Sequence, residues 1–378
     1  MKFTVRDAID GNTIIIKPSW TKGGIGRTVD ITNDDQRQWL NQVARLVPPG
    51  HSLIPQERTY KQHLHHYEAQ AKLMGVCKLH GLRHAYAQRR YKELTRLFDP
   101  NGQGLTPPID GKTLRGSHDG LKSPIHMVSA WSSANGVVLG QEKTAEKSNE
   151  ITAIPELLRS LEIKGCIVSI DAMGCQREIA DQIIRQKGDY LLALKGNQGN
   201  LHEEVKSFFT TAKESAFKNV TYGFHEDIDA GHGRIEVRRA YVLDFEQYKK
   251  LIPSGLKWKK IAQIVMIEST REGAAFKTQE TRFYITSSLE TPKKLLAATR
   301  KHWGVENSLH WTLDVTFRED ESRIRKDAAP ENFAIFRHIA LNIIRKNTSI
   351  DASVKRKRHM AAMDDDVRTT LIKEMLKI

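Results

Sequence analysis

From about residue 107 onward, short apolar runs alternate with segments whose apolar residues fall three and four apart, a change of period that separates strands from helices. Ile125–Trp131 and Gly136–Glu142 read as strands joined by a Ser-Ser-Ala-Asn-Gly turn. A helix follows from about Ile151 to Leu161, then the apolar run Cys166–Ile170, a helix from about Gln176 to Gln186 and a strand Tyr190–Leu194. Residues 200–289, approximately, interrupt this rhythm with strand-like stretches such as Ile261–Glu268 and Arg282–Thr286. Thr291-Pro292 has the chemistry of an N-cap and first helical position, so the spacing predicts that a helix resumes there. Along that helix His302, Glu306, His310 and Asp314 fall four apart as one polar stripe, with Trp303, Leu309, Leu313 and Phe317 as its apolar counterpart.

With the segment that ends at Asp110, the order is β-β-β-α-β-α-β, that of a ribonuclease H-like core: an α/β fold with a mixed sheet flanked by helices, here carrying a strand-rich insertion. Two aspartates sit where strands end. Asp110 precedes Gly111, and Asp171 closes the buried run Cys166–Ile170 ahead of Ala172-Met173-Gly174. Carboxylates at the C-terminal ends of buried strands face the crevice of α/β proteins. The bland alternative is an aspartate that caps the next helix, and for Glu306 it is a solvated helix face.

The motifs I-D-G-K-T-L-R-G-S (Ile109–Ser117), E-K-S-N-E-I-T-A-I-P (Glu146–Pro155), I-D-A-M-G-C-Q (Ile170–Gln176), A-L-K-G-N-Q (Ala193–Gln198), G-H-G-R-I-E (Gly231–Glu236) and H-W-G-V-E-N-S-L-H-W-T-L-D (His302–Asp314) occur in this order. Through them the chain from about Leu105 resembles the DDE transposases of bacterial insertion sequences, specifically the H-repeat-associated group. The resemblance implies metal-dependent DNA strand cleavage and strand transfer, with the family's acidic triad carried onto Asp110, Asp171 and Glu306. It also implies Mg2+ or Mn2+ as cofactor, two ions in number, and double-stranded DNA as partner, both element ends and target, bound by a homo-oligomer. In-line attack on a phosphodiester builds charge on two oxygens, which a pair of cations about 4 Å apart stabilises. Three carboxylates crowded together without cations repel one another. Lys195, at a strand end, suits a phosphate contact, and His232 with Arg234 a DNA-contacting loop, against a surface lysine and a plain hairpin turn as the bland alternatives. His302, His310 and Asp314 flank Glu306 and are weaker candidates for assisting metal or DNA binding, against the favoured bland alternative that they only shape the helix face.

The first hundred residues differ. Val5–Ile16 and Arg27–Ile31 read as strands around Ser19–Gly24, and Met74–Leu94 contains K-L-H-G-L-R-H-A-Y. This segment resembles the catalytic domain of tyrosine recombinases, the phage-type integrases, with His80 and Arg83 matching H-x-x-R and Lys22 the lysine of a β-turn. That chemistry needs a second arginine and a tyrosine nucleophile, yet no tyrosine occurs between Tyr91 and Tyr190. The organisation expected is a truncated, small α+β integrase-like fragment over 1–97 and a seam over 98–106. The transposase catalytic domain follows over 107–345 with its insertion at about 200–289, and a basic tail and helix over 346–378.

Composition agrees with a polyanion partner. The net charge is +14, and residues 1–100 hold 16 Lys+Arg against 9 Asp+Glu, half of that excess in about a quarter of the length. Neither an apolar run near 18 residues nor a charged-then-apolar leader occurs, so a cytoplasmic protein is expected, associated with the nucleoid when on DNA and away from membranes. Cys77, Cys166 and Cys175 have no metal or disulfide spacing. His63, His65 and His66 lack cysteine partners for zinc. The reading is a DDE transposase; its alternatives are a catalytically inactive DNA-binding remnant of a gene fusion and a host nuclease on the same core.

Overall fold

In the computed structural model, the alternation of apolar residues between 108 and 194 becomes five strands of one sheet. The structure describes residues 8–17, 27–31, 34–46, parts of 51–69, and 107–376 apart from 119–122, 145–148, 232 and 274–275. Two units divide the chain, Met1–Ala87 and Gln88–Ile378.

In the second unit the strands are β4 (Pro108–Leu114), β5 (Ile125–Ser132), β6 (Val137–Lys143), β7 (Ile167–Ile170) and β8 (Asp189–Leu194). They lie in the spatial order β6-β5-β4-β7-β8, antiparallel across β6-β5-β4 and parallel across β4-β7-β8. Parallel neighbours need crossovers. These are α2 (Glu150–Ser160) and α3 (Arg177–Arg185), within a residue or so of the expected bounds. The mixed sheet flanked by helices is therefore the ribonuclease H-like arrangement expected.

The insertion is more helical at its start than the pattern suggested, because Leu201, Val205, Phe209 and Ala212 lie on one buried face of α4 (Gly199–Glu214). Its remaining length forms β9 (Gly223–Gly231), β10 (Arg234–Asp244), β11 (Gln263–Gly273) and β12 (Phe276–Thr286). These strands extend the same sheet beyond β8, in the order β8-β12-β11-β10-β9, instead of folding apart from it. Gly231 and Arg234 flank the tip of the β9–β10 hairpin.

Alternation along the strands sorts the core into two faces. Val168, Ile170, Tyr190, Leu192, Ile264 and Met266 meet α2, α3 and α4 on one side. Leu191, Val265, Ile267 and Tyr284 meet Leu295, Leu296 and Ala298 of α5 (Pro292–Gly304) on the other. Thr291 caps α5 through its side chain, accepting from the Lys294 amide. A π-helical segment, Val305–His310, follows directly, then α6 (Trp311–Phe317), α7 (Ala329–Lys346), α8 (Val354–Met363) and α9 (Asp365–Leu376). Val305, Leu309, Leu313 and Leu341 pack on Trp131 and Val138 near the β5–β6 edge. Trp303, expected on that apolar side, is instead 50% exposed. The extra residue of the π turn shifts the helical phase, so Val305 takes the inward place.

In the first unit the described strands are β1 (Ile9–Asp10), β2 (Thr13–Ile16) and β3 (Arg27–Asp30), antiparallel in that order, followed by α1 (Asp34–Leu46). The single strand expected over Val5–Ile16 is thus, within its described part, a hairpin. Ile9 pairs with Ile14 and Asp10 with Thr13 around a two-residue Gly11-Asn12 turn, with Gly11 at φ +54°. Among the described residues no helix is long and apolar enough to cross a membrane.

Candidate active site

β4 and β7 run parallel with Pro108 opposite Ser169 and Ile109 opposite Ile170. One step further along this ladder stand Asp110 and Asp171, so two residues 61 positions apart become neighbours by register alone. Glu306 reaches the same place from the π segment after α5. All three carboxylates line one cleft of about 570 Å³, together with Lys195, Arg282 and His302.

Asp110 feels the crowding most. Burial, with the like charges of Glu150, Asp171 and Glu306 adding to it, pushes its carboxyl up to about 7, although the Gly111 amide donates to Oδ1 at 2.9 Å. Asp171 is also raised, first by burial and then by Glu150. Its Oδ1 accepts from the amides of Met173 (3.0 Å) and Gly174 (3.4 Å). That bends the chain into a turn, but the cap position of α3 is Gln176, so Asp171 is not its helix cap.

His310 joins the acids. Its Nδ1 lies 3.0 Å from Glu306 Oε2 and 3.8 Å from Asp110 Oδ2. A carboxylate can only accept, so Nδ1 carries the proton in the Glu306 bond, and Nε2 is buried without a hydrogen-bond partner. Burial lowers the His310 pKa despite the Glu306 bond. Asp110, Glu306 and His310 each present a ligand atom within 4.8 Å of the others. The oxygens of Asp110 and Glu306 offer hard ligands that fit a divalent cation, while His310 holds Glu306 through its Nδ1–H.

The remaining candidates are distributed as follows. Lys195 follows β8 on the cleft wall, exposed, and its charge acts on Asp171. His302 sits in the cleft with Nδ1 3.2 Å from Ser169 Oγ, and burial holds its pKa down at about 4. Arg234 lies at the start of β10, away from the carboxylates, paired with Glu236 at 2.8 Å. Lys22, His80, Arg83 and His232 lie outside the described residues. Of the polar stripe expected along the helix, only Glu306 and His310 touch. Asp314 instead pairs with Lys112 at 2.8 Å, and Lys112 also reaches Asp320 at 3.0 Å.

Sequence reasoning did not single out Glu150, His126 or Lys112. Glu150 and His126 are bonded through Oε1 and Nε2 at 2.8 Å, and Thr113 Oγ1 is 2.8 Å from the other ring nitrogen. A side chain on Gly111 would put its Cβ 2.2 Å from Glu150 Oε1 and 2.3 Å from His126 Nε2. The glycine after Asp110 is the signal that was present: it is small because an acid–imidazole pair presses against the backbone there.

Comparison with known proteins gives the family. The chain is 44% identical over 262 residues, 68% of each chain, to YbfL of Escherichia coli (strain K12) and equally to YhhI of the same strain, which is named as a transposase associated with the H repeat. YncI of Escherichia coli O157:H7, named as a transposase, is 44% identical over 273 residues, 71% of this chain and 68% of its own. Residues 108–343, which span β4 to α7 and every carboxylate of the cleft, match the transposase DDE domain. The chain therefore belongs to the DDE transposase family, the insertion-sequence enzymes that cleave and transfer DNA strands with divalent metal.

Proposed function

We propose that Asp110, Asp171 and Glu306 are the metal-binding catalytic triad of this transposase, with His310 as the group that orients Glu306. The observation that carries the reading is the convergence of the three carboxylates on one cleft from β4, the turn after β7 and the π segment. Two divalent ions, Mg2+ or Mn2+, held there would stabilise charge on the attacking and leaving oxygens of an in-line phosphoryl transfer. The chain's own residues set the geometry. The Gly111 amide fixes Asp110, the Met173 and Gly174 amides fix Asp171, and His310 Nδ1 donates to Glu306. Lys195, exposed beside Asp171, meets a phosphate oxygen. His302, neutral and bonded to Ser169, shapes the cleft wall and carries no charge to the DNA.

The substrate is double-stranded DNA, element ends and target alike, and the acting species is a homo-oligomer on DNA, in the cytoplasm at the nucleoid. The N-terminal unit is read as a recombinase-like fragment. That reading rests on the resemblance of the H-x-x-R motif at His80 and Arg83.

Replacing Asp110 or Asp171 by Asn, or Glu306 by Gln, keeps shape and removes the charge that holds a cation. Each variant is expected to fold, to bind DNA at least as well as the parent, and to lose Mg2+- or Mn2+-dependent strand cleavage by more than about a hundredfold. Cleavage that survives all three replacements would remove the assignment. A parent protein that binds DNA and cleaves none with either metal would make the chain a DNA-binding remnant.

A further inference from the structure

A second depression, of about 360 Å³, adjoins the catalytic cleft and shares Glu280, Arg282, Tyr284, Thr299 and Trp303 with it. Its walls are dominated by arginine. The β10–β11 register pairs Glu236 with Arg271 and Arg238 with Ser269, so Arg234, Arg238 and Arg271 share the sheet face on which α5 lies. Arg282 continues this face on β12, opposite Ile267, and Arg300 comes from α5 itself.

Five guanidinium groups line it with two carboxylates, Glu236 and Glu280, and Arg282 forks onto Glu280 at 2.7 and 2.9 Å. Glu236 is buried and takes Arg234 at 2.8 Å, Arg271 at 3.4 Å and Arg238. Arg300 is tied to Asp227 at 2.7 Å and Asp229 at 3.4 Å. Arg238 Nη1 is still buried with no hydrogen-bond partner. Three arginines, Arg234, Arg238 and Arg271, converge on the single carboxylate of Glu236, and that excess of positive charge suits an anion from outside. Arginine forks suit phosphate oxygens in pairs.

We propose that this arginine groove carries the sugar–phosphate backbone of duplex DNA into the catalytic cleft, with Arg234, Arg238, Arg271, Arg282 and Arg300 as its contacts. The inference rests on the reading of the cleft as the strand-cleaving site. It assigns to the inserted strands the task of aligning the duplex, and the Trp303 ring, with Arg282 stacked on it at 4.3 Å, forms the ridge between groove and cleft.

The test is the salt dependence of duplex binding by the full chain, measured by fluorescence anisotropy. Each phosphate contact contributes about 0.9 to the slope of log Kobs against log salt. The triple variant R234Q/R271Q/R300Q removes side chains that are each about half exposed. It is expected to lower the slope by about 2 to 3. A control of equal charge change, K218Q/K250Q/K257Q, removes exposed lysines around Phe217, Phe245 and Trp258, which pack against the α4 face of the sheet. It is expected to lower the slope by less than about 1. Equal loss in both triples would mean diffuse charge and would overturn the groove, as would no loss in the arginine triple. Should the triple misfold by circular dichroism, R271Q alone is expected to lower the slope by about 0.9, and an unmoved slope there overturns the proposal. The underlying reading is scored separately. A parent that cleaves while the arginine triple keeps the full slope loses the groove alone. A parent that never cleaves while the triple loses slope keeps the groove and loses the cleavage reading.

Discussion

Asp110 is where the cleft's electrostatics act on stability as well as on function. In the unfolded chain an aspartate titrates near 3.9; in the fold, without metal, Asp110 does so at about 7. Between those values the folded state binds a proton that the unfolded state has lost, so stability falls as pH rises from about 4 to 7 and stays reduced above that. Asp110→Asn removes the penalty. Without divalent metal the variant is expected to match the parent in stability near pH 4 and to exceed it at pH 8 by on the order of 2–4 kcal/mol, seen as a higher Tm. Adding Mg2+ at pH 8 should raise the parent's Tm and leave the variant's nearly unmoved, because the ion meets an ionised carboxylate in one and an amide in the other. A parent more stable than the variant at pH 8 without metal would mean that Asp110 is not desolvated as described. Asp171 was legible in the sequence because it closes an apolar run; Asp110 was expected at a strand end too, but β4 continues through it to Leu114, because Gly111 and the residues after it keep pairing with β5. Glu150 was not legible: its nearness to both aspartates depends on how α2 lies on the sheet, and the Gly111 gap that admits it reads locally as an ordinary turn residue.

At the scale of elements, the exposed rim of the core sheet is β6, whose outer backbone groups would be open to pairing with another chain. Asn342 of α7 closes part of that edge. Its Oδ1 accepts from the Val138 amide at 2.8 Å and its Nδ2 donates to the Val138 carbonyl at 2.9 Å, so one side-chain amide stands in for a neighbouring strand. Asn342→Leu keeps the volume and strips both bonds from buried groups. Each unsatisfied group costs about 1–3 kcal/mol, so the variant is expected to lose roughly 2–5 kcal/mol and to show faster amide exchange at Val138. Unchanged exchange at that amide would show that the edge is held by other contacts. The succession of strands and crossover helices along the chain was legible from period, since buried parallel strands read as apolar runs and helices as apolar residues three and four apart. The π segment at Glu306 was not, because a one-residue excess leaves a four-residue polar stripe looking intact. It is the structure that turns Trp303 outward and hands Asp314 to Lys112. Nor did the pattern reveal that the inserted strands continue the sheet, since edge pairing between β8 and β12 joins residues about 90 apart.

Across the whole molecule, charge and chemistry are divided differently along the chain. Every described residue of the sheet's hydrophobic clusters lies at or beyond Ile109, and the carboxylates of the cleft lie between Asp110 and Glu306. Half of the net charge, by contrast, lies within the first hundred residues. A chain of residues 107–378 should therefore fold with its own core and retain metal-dependent strand cleavage at saturating DNA. It should bind duplex more weakly at moderate salt and with a shallower salt slope, because it has fewer basic groups to displace counterions. Cleavage by this route is a direct in-line attack, and no tyrosine becomes linked to DNA at any stage. Quenching the full chain's reaction in detergent and separating protein from labelled DNA is therefore expected to show free, cut strands and no covalent adduct. A detergent-resistant tyrosyl–DNA adduct in the full chain, lost together with cleavage in residues 107–378, would move the chemistry to the N-terminal unit. A truncated chain that fails to fold would instead make that unit part of the transposase core.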